Sequence, residues 1–187
     1  MNDEQTMRPL TDRAVRALVA INCAVLALLI GYVIVIFARA PDSFAVHFAI
    51  AGVPDQWVDS ERETWFLLPI CALVTGVGLI ALALLEPRLR LHLIGLPQRA
   101  RFEALPPARQ RPLIREVMLF ILTIALVDTL VLGAFEVTMV GLGQTPPETP
   151  TRWLTGAAIA LYLLICVSWL LVLRQHLVRA LAEPASN

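Results

Sequence analysis

The residues best suited to chemistry outside a membrane lie in the stretch from Pro41 to Trp57. Its His47 lies between Asp42 and Asp55, and an imidazole with two carboxylates is a ligand set that could bind a divalent metal. Only one of the three is a histidine and the carboxylates are well separated in sequence. We therefore favour the interpretation that His47 and Asp55 hold the shape of the loop by taking part in hydrogen bonds. The sequence predicts neither a metal site nor another cofactor.

A second chemically interesting residue is Asp128, which lies deep in an apolar stretch beyond Arg115. An aspartate at the centre of a bilayer costs about 2.5–3.5 kcal/mol on insertion scales, so we expect it to face other helices. One interpretation is a proton-relay or ligand-contact carboxylate. The other is a packing residue, protonated or hydrogen-bonded, that contacts Asn22, Thr75 or Ser168. We assign Asn22 with Asp128 to the polar interior of the membrane region.

No other group is arranged for catalysis. The three cysteines, which lie inside apolar runs, have neither the even count nor the spacing of a disulfide framework or zinc site. The chain has no recognisable nucleophile paired with a base and no Gly-rich phosphate loop. Its formal net charge is zero, which gives no reason to expect a nucleic-acid partner. We therefore expect a protein that is not an enzyme. The cysteines are Cys23, Cys71 and Cys166.

Hydrophobic residues make up 58% of the chain and form four long runs. Crossing ~30 Å of hydrocarbon takes about 20 helical residues, and backbone groups inside a bilayer must pair within their own segment. The first run exceeds the apolar region of a typical signal peptide, so we expect a retained anchor. The sequence thus predicts an all-α membrane protein with four transmembrane helices. They are Ala14–Ala38, Thr64–Leu85, Val117–Phe135 and Trp153–Leu173.

The arginines predict the orientation of these helices. Every basic residue is arginine, and 12 of the 15 lie before or in the first turn of the first helix, between the second and third, or after the fourth. Positive charge is enriched in cytoplasmic segments, so both termini should lie inside. The predicted segments are a cytoplasmic N-terminus (1–13), helix 1, an ordered outer loop (39–63) and helix 2 (together 14–85), an Arg/Pro-rich cytoplasmic loop (86–116), helices 3 and 4 (117–173) and a cytoplasmic tail (174–187).

Three further expectations concern helix ends and packing. The segment Ser60–Glu63 fits a capping box, so helix 2 should begin there. Gly76 and Gly78 are small residues that would let helices approach closely. Glu136 lies ~12 Å further out than Asp128 and ~80° around the helix, so we expect it to be hydrated at the outer interface.

The outer loop carries an ordered motif. The loop is similar to a pattern of three successive parts, which are Leu-Pro, then Pro-x-His-Phe-Asn, then Gly-x-Pro-Asp-x-Trp. It differs from this pattern at Ala45, which replaces the proline two positions before His47, and at Ala49, which replaces the asparagine. With this motif the chain resembles, from the first span through the second, the domain of unknown function found at the N-terminus of SdpI-type immunity proteins and in many small bacterial membrane proteins. The matching positions are Pro41, His47, Phe48, Gly52, Pro54, Asp55 and Trp57.

The resemblance implies a multi-pass protein of the bacterial cytoplasmic (inner) membrane. For the SdpI type it further implies resistance to a secreted toxic peptide and signalling to a cytoplasmic repressor. The Gly-Val-Pro-Asp turn signal predicts that the loop folds back on itself and brings His47 and Phe48 near Trp57. These three residues and Asp55 are the candidate ligand-binding residues.

Three functions remain open. The first is a receptor or immunity-type protein that binds an extracellular peptide through the outer loop and a cytoplasmic partner through the arginine-rich loop. The second is an accessory subunit that packs against a larger membrane protein complex. The third is a small proton-coupled transporter that uses Asp128. Membrane lipids are partners in all three, and none requires a nucleic acid.

Overall fold

The computed structural model describes residues 12–37, 43–48, 54–59, 66–89, 99–142 and 150–182. Three of its helices are long and apolar enough to cross a membrane, over Arg13–Phe37, Leu67–Pro87 and Pro107–Val137. The chain is therefore a multi-pass membrane protein. In chain order the elements are α1 (Arg13–Phe37), β1 (Ser43–Phe48), β2 (Pro54–Asp59), α2 (Leu67–Leu89), α3 (Arg99–Glu103), α4 (Pro107–Leu142) and α5 (Pro150–Ala182).

Three of the four predicted spans are confirmed, although their ends differ. The largest difference is in α4, which runs from Pro107 to Leu142 where the apolar run predicted Val117–Phe135. The extra turns at the start of α4 contain several arginines. Arginine is a good helix former, and its charge is solvated outside the hydrocarbon. Proline is tolerated in the first turn of a helix, where Pro107 lies. The predicted capping box at Ser60–Glu63 lies outside the described residues.

The fourth predicted span, Trp153–Leu173, lies within α5. The apolar part of α5 that the structure describes, Ala160–His176, is shorter than a full span. The fourth crossing and the inside location of both termini therefore stay predictions. The helical fold is confirmed, and the outer loop adds a two-stranded sheet to it.

Helix α4 is the centre of the molecule and packs against α1, α2, α5 and β1. Five of the seven buried residues in its described part are spaced by 4, 3, 4 and 7 positions, the other two being Leu113 and Leu119, and the buried residues of α1 are spaced by 7, 4 and 7. Such spacings place each set along one face of its helix, as in helices that cross at a small angle. The α4 set is Met118, Leu122, Ala125, Thr129 and Glu136, and the α1 set is Val15, Asn22, Leu26 and Val33.

Helix α2 approaches this core most closely at Gly76. A Cβ atom added there would lie 3.1 Å from Leu26 Cδ1 and 3.2 Å from Thr129 Oγ1. A Cβ atom added at Gly78 would meet nothing within 4 Å. The expected role in helix packing is thus confirmed for Gly76 and wrong for Gly78, because Gly78 lies two positions further along the helix and faces away from α1 and α4.

The start of α1 is tied to α4 by one carboxylate. Asp12 Oδ1 accepts hydrogen bonds from the backbone N–H groups of Ala14 (2.8 Å) and Val15 (3.2 Å), which caps the helix. Asp12 Oδ2 accepts a 2.6 Å hydrogen bond from Arg115 Nε on α4. This bond from the Arg115 guanidinium is the main cause that holds the pKa of Asp12 below its ordinary value.

The short helix α3 is held against the first turns of α4. Gln110 Nε2 donates hydrogen bonds to the backbone oxygens of Leu105 (2.8 Å) and Phe102 (3.2 Å). The buried side chains of Phe102 and Leu113 belong to one small apolar cluster. Part of the predicted cytoplasmic loop is therefore folded onto the bundle.

Candidate functional site: an outer hairpin and a polar helix interface

The outer loop forms an antiparallel β-hairpin. Ser43 pairs with Asp59, Phe44 with Val58 and Ala45 with Trp57, and the register is irregular on both sides of His47. The prediction that the loop folds back on itself is confirmed. All four candidate ligand-binding residues lie on its two strands.

The pairing decides which candidates become neighbours on the hairpin. His47 pairs with Gln56, which directly precedes Trp57, and Phe48 pairs with Pro54, which directly precedes Asp55. The backbone of His47 is therefore close to that of Trp57 across the hairpin, and the backbone of Phe48 is close to that of Asp55. The Trp57 side chain is 51% exposed. A ligand role for these four residues stays a prediction.

The hairpin is anchored at its base and along one side. The rings of Phe37, at the end of α1, and Phe66, just before α2, lie 5.1 Å apart between centroids and are tilted by 39°. Both rings pack in a cluster around the buried side chain of Val33. Strand β1 also packs against α4. These contacts fix the two chain segments from which the hairpin emerges.

Asp128 lies at the contact between α4 and α2. Its Oδ2 accepts a 2.7 Å hydrogen bond from Thr75 Oγ1, and the same hydroxyl lies 2.9 Å from the Cys71 carbonyl oxygen one turn earlier on α2. Tyr162 of α5 is close enough to interact electrostatically with Asp128 and with Cys166. Of the predicted partners of Asp128, the structure thus brings Thr75 into contact.

Asn22 joins α1 to α4 at a fully buried position. Its Nδ2 donates hydrogen bonds to the backbone oxygens of Leu18 (2.8 Å) and Leu122 (3.1 Å). A polar side chain without water around it needs such partners, because an unsatisfied donor in an apolar interior is costly. The contacts of Asn22 are those of a helix-packing residue, and its assignment as an intramembrane polar site residue stays a prediction.

Glu136 is buried, and the prediction that it is hydrated at the outer interface is wrong. It is 5% exposed, and the phenol of Tyr32 on α1 lies close enough to interact with it electrostatically. Its position in the series Leu122, Ala125, Thr129 and Glu136 places it on the buried face of α4. Spacing along that face was the sequence signal that could have identified it. Glu86, in the last turn of α2, is also fully buried.

These residues form two separate regions. The hairpin has an exposed aromatic side chain and lies between the end of α1 and the start of α2, whereas Asp128 lies about 21 Å along the helix axis from Leu142 at the end of α4. Within the described ranges there is no group of three His, Cys, Asp or Glu side chains that could hold a metal ion. The helix interface has the geometry of polar packing.

Comparison with known protein families gives a match for the region that contains the hairpin. Residues 24–73 match the family model of a domain of unknown function, DUF1648. This stretch is a DUF1648 domain. The domain includes most of α1, both hairpin strands and the start of α2, so the predicted resemblance is confirmed at the level of this domain. No curated protein and no solved structure gives a significant match.

Proposed function

We propose that this protein is a non-enzymatic receptor or immunity-type protein of the bacterial cytoplasmic membrane that binds an extracellular peptide through its hairpin. The observation that carries the proposal is the formed hairpin of the DUF1648 domain, anchored at Phe37 and Phe66 and presenting a half-exposed Trp57. The resemblance of the outer-loop motif to the N-terminal domain of SdpI-type immunity proteins supports the same function.

A two-stranded hairpin can accept a third strand. Each of its outer edges carries backbone N–H and C=O groups that can pair with an extended peptide, and alternate side chains then supply specificity. Strand β1 lies against α4, so the β2 edge is the one we expect a peptide to pair with. Trp57 lies on β2 and would contribute an aromatic anchor of the type that dominates binding energies.

The test is peptide binding and protection by variants of this hairpin. A sensitive host that expresses the protein is exposed to candidate secreted peptides, and binding is measured with the purified protein in nanodiscs. Replacing Trp57 by Ala should weaken binding about 30-fold, since a central aromatic anchor contributes about 2 kcal/mol or more. Leu161→Ala, at an exposed position of α5, is the control. Absence of protection and binding by the unmodified protein would contradict the proposal.

One observation favours the second candidate, an accessory subunit of a membrane complex. Of the α5 side chains that the structure describes, none is buried, and Trp169 contacts α4 through the ring of Phe120 at 6.1 Å between centroids. A long helix that packs on one neighbour leaves most of its circumference for lipid or for a partner helix.

This alternative predicts co-purification of a partner after mild detergent extraction. Leu164→Trp on the exposed face of α5 should then reduce the yield of the complex, whereas Leu28→Trp on the exposed face of α1 should not. Recovery of the protein solely as a free monomer would exclude this function.

A further inference from the structure

A cavity of about 390 Å³ lies between the start of α4 and the end of α5. Helix α4 contributes the side chains of Arg109, Glu116, Pro112 and Leu113, and α5 contributes His176 and Arg179. The lining therefore combines apolar side chains with two guanidinium groups, an imidazole and one carboxylate. These groups are not used by the peptide-binding function proposed above.

The charges around this cavity favour an anion. Arg109 and Arg179 approach it from different helices, and a guanidinium group can donate two parallel hydrogen bonds to a phosphate. The one carboxylate in the lining, Glu116, has Arg115 Nη1 3.8 Å from its Oε1, which offsets part of its charge. The first turn of α4 forms part of the wall, and the positive end of a helix dipole adds to the attraction.

The cavity lies beside the headgroup layer, with Glu116 at its inner end and the backbones of Arg109 and Arg179 just beyond that layer. The apolar run of α4 begins at Val117, and Arg109 lies about 12 Å further along the axis. Arg179 lies about 9 Å beyond Leu173, where the apolar run of α5 ends. The headgroup region on each side of a bilayer is about 5–8 Å thick. The cavity thus extends from the edge of the hydrocarbon through the headgroups.

From these observations we propose that the cavity binds a phosphate group, held between Arg109 and Arg179, with His176 as a further donor. Pro112 and Leu113 would contact the glycerol and the first methylene groups of an anionic phospholipid. The same guanidinium pair could hold a free phosphate, and the two sources are separated experimentally below. The site would join α5, which lacks buried side chains in its described part, to the centre of the bundle.

Native mass spectrometry of the full chain in mild detergent, titrated with phosphatidylglycerol, measures the affinity for the first bound lipid. In the double variant Arg109→Gln, Arg179→Gln this affinity should fall at least about tenfold, because charge-assisted hydrogen bonds are lost. The matched control is Arg174→Gln, which removes an exposed arginine of α5 that lies about 140° around the helix from Arg179. It should reduce the affinity clearly less than the double variant does.

An equal loss in the control and the double variant would show diffuse attraction to the surface and would overturn the proposal, as would no loss in either. Arg179→Lys, which keeps the charge, should restore part of the affinity relative to Arg179→Gln alone. In a second arm, inorganic phosphate is added to the lipid complex. Retention of the lipid supports a phospholipid site, whereas displacement at millimolar phosphate supports a site for free phosphate. Circular dichroism and size-exclusion chromatography establish that each variant is folded.

Discussion

Polar residues inside this bundle lie where a hydrogen-bond partner or a neighbouring helix is available. Asn22 donates to a carbonyl oxygen of another helix, and Asp128 accepts from Thr75. The hydrogen bond to Thr75 supports a packing role for Asp128, although Thr75 is exposed and Asp128 is only partly buried at the contact between α2 and α4. A proton-relay role would need the same group in contact with water.

The hydrogen bond between Thr75 and Asp128 should stabilise the bundle. Removing it by Thr75→Val should lower the free energy of unfolding by about 0.6 kcal/mol, and by no more than about 1.7 kcal/mol, as for other hydrogen bonds between membrane helices. Thr123→Val is the matched control, since that hydroxyl donates within its own helix to Leu119 O. Unfolding is followed by circular dichroism during titration with sodium dodecyl sulfate.

Equal effects of the two substitutions would contradict this role for Asp128. The transporter alternative makes a different prediction, because it requires an ionisable side chain at this position. If Asp128→Asn leaves every phenotype of the expressing cell unchanged, that alternative should be abandoned.

The contact between Asp12 and Arg115 should make stability depend on pH. The pKa of Asp12 is lower in the folded protein than its ordinary value of 3.8. The contact therefore stabilises the protein fully above pH 3.8, and its contribution is lost as the pH falls through the lowered pKa. At pH 7, Asp12→Asn should cost about 1 kcal/mol, since asparagine keeps the cap and loses the ion pair.

The difference in unfolding free energy between wild type and Asp12→Asn, measured from pH 7 downward, checks this prediction. It should shrink toward zero in acid. Arg115→Gln should show a similar loss at pH 7, and the double variant should cost less than the sum of the two. A difference that does not change with pH would show that capping alone accounts for the effect.

The elements of the DUF1648 domain depend on contacts between helices. The hairpin is anchored by Phe37 and Phe66 at the adjoining ends of α1 and α2, and the separation of these helices is limited by the contact at Gly76. Small residues allow membrane helices to approach because packing, not the hydrophobic effect, drives their association.

A larger side chain at Gly76 should separate α2 from α1 and α4. Gly76→Val should reduce the free energy of unfolding by about 2 kcal/mol, because its methyl groups would overlap Leu26 and Thr129. Gly78→Val, at a position with no neighbour within 4 Å, should change it by less than about 0.5 kcal/mol. The same titration with sodium dodecyl sulfate gives both values. Similar losses at the two positions would contradict the packing described here.

At the scale of the whole molecule, α4 is the helix that α1, α2, α5 and β1 all contact. It carries the hydrogen bonds to Asp12, Asn22 and Thr75. The long helix α5 adds to this centre from one side. Whether α5 crosses the membrane decides the side on which the chain ends.

Reporter fusions distinguish three crossings from four. With the N-terminus inside, as the arginines predict, alkaline phosphatase fused after Leu142 should be active, because three helices precede it. Fused after Asn187 it should be inactive, and green fluorescent protein at that position should fluoresce. An active phosphatase at Asn187 would show that α5 does not cross. Equal protein levels, checked by immunoblotting, are the control.

The apolar runs were enough to predict the helices, the outer loop and the cost of burying Asp128, because hydropathy over about 20 residues and the bilayer thickness are properties of the sequence. The hairpin motif likewise predicted a chain that folds back. The spacing of the buried residues on α4 carried a signal for the burial of Glu136, whereas the sequence held none for the strand register around His47 or for the difference between Gly76 and Gly78. Which face of a helix meets which neighbour depends on the packing of residues that are distant in the chain, and the tertiary structure alone decided it.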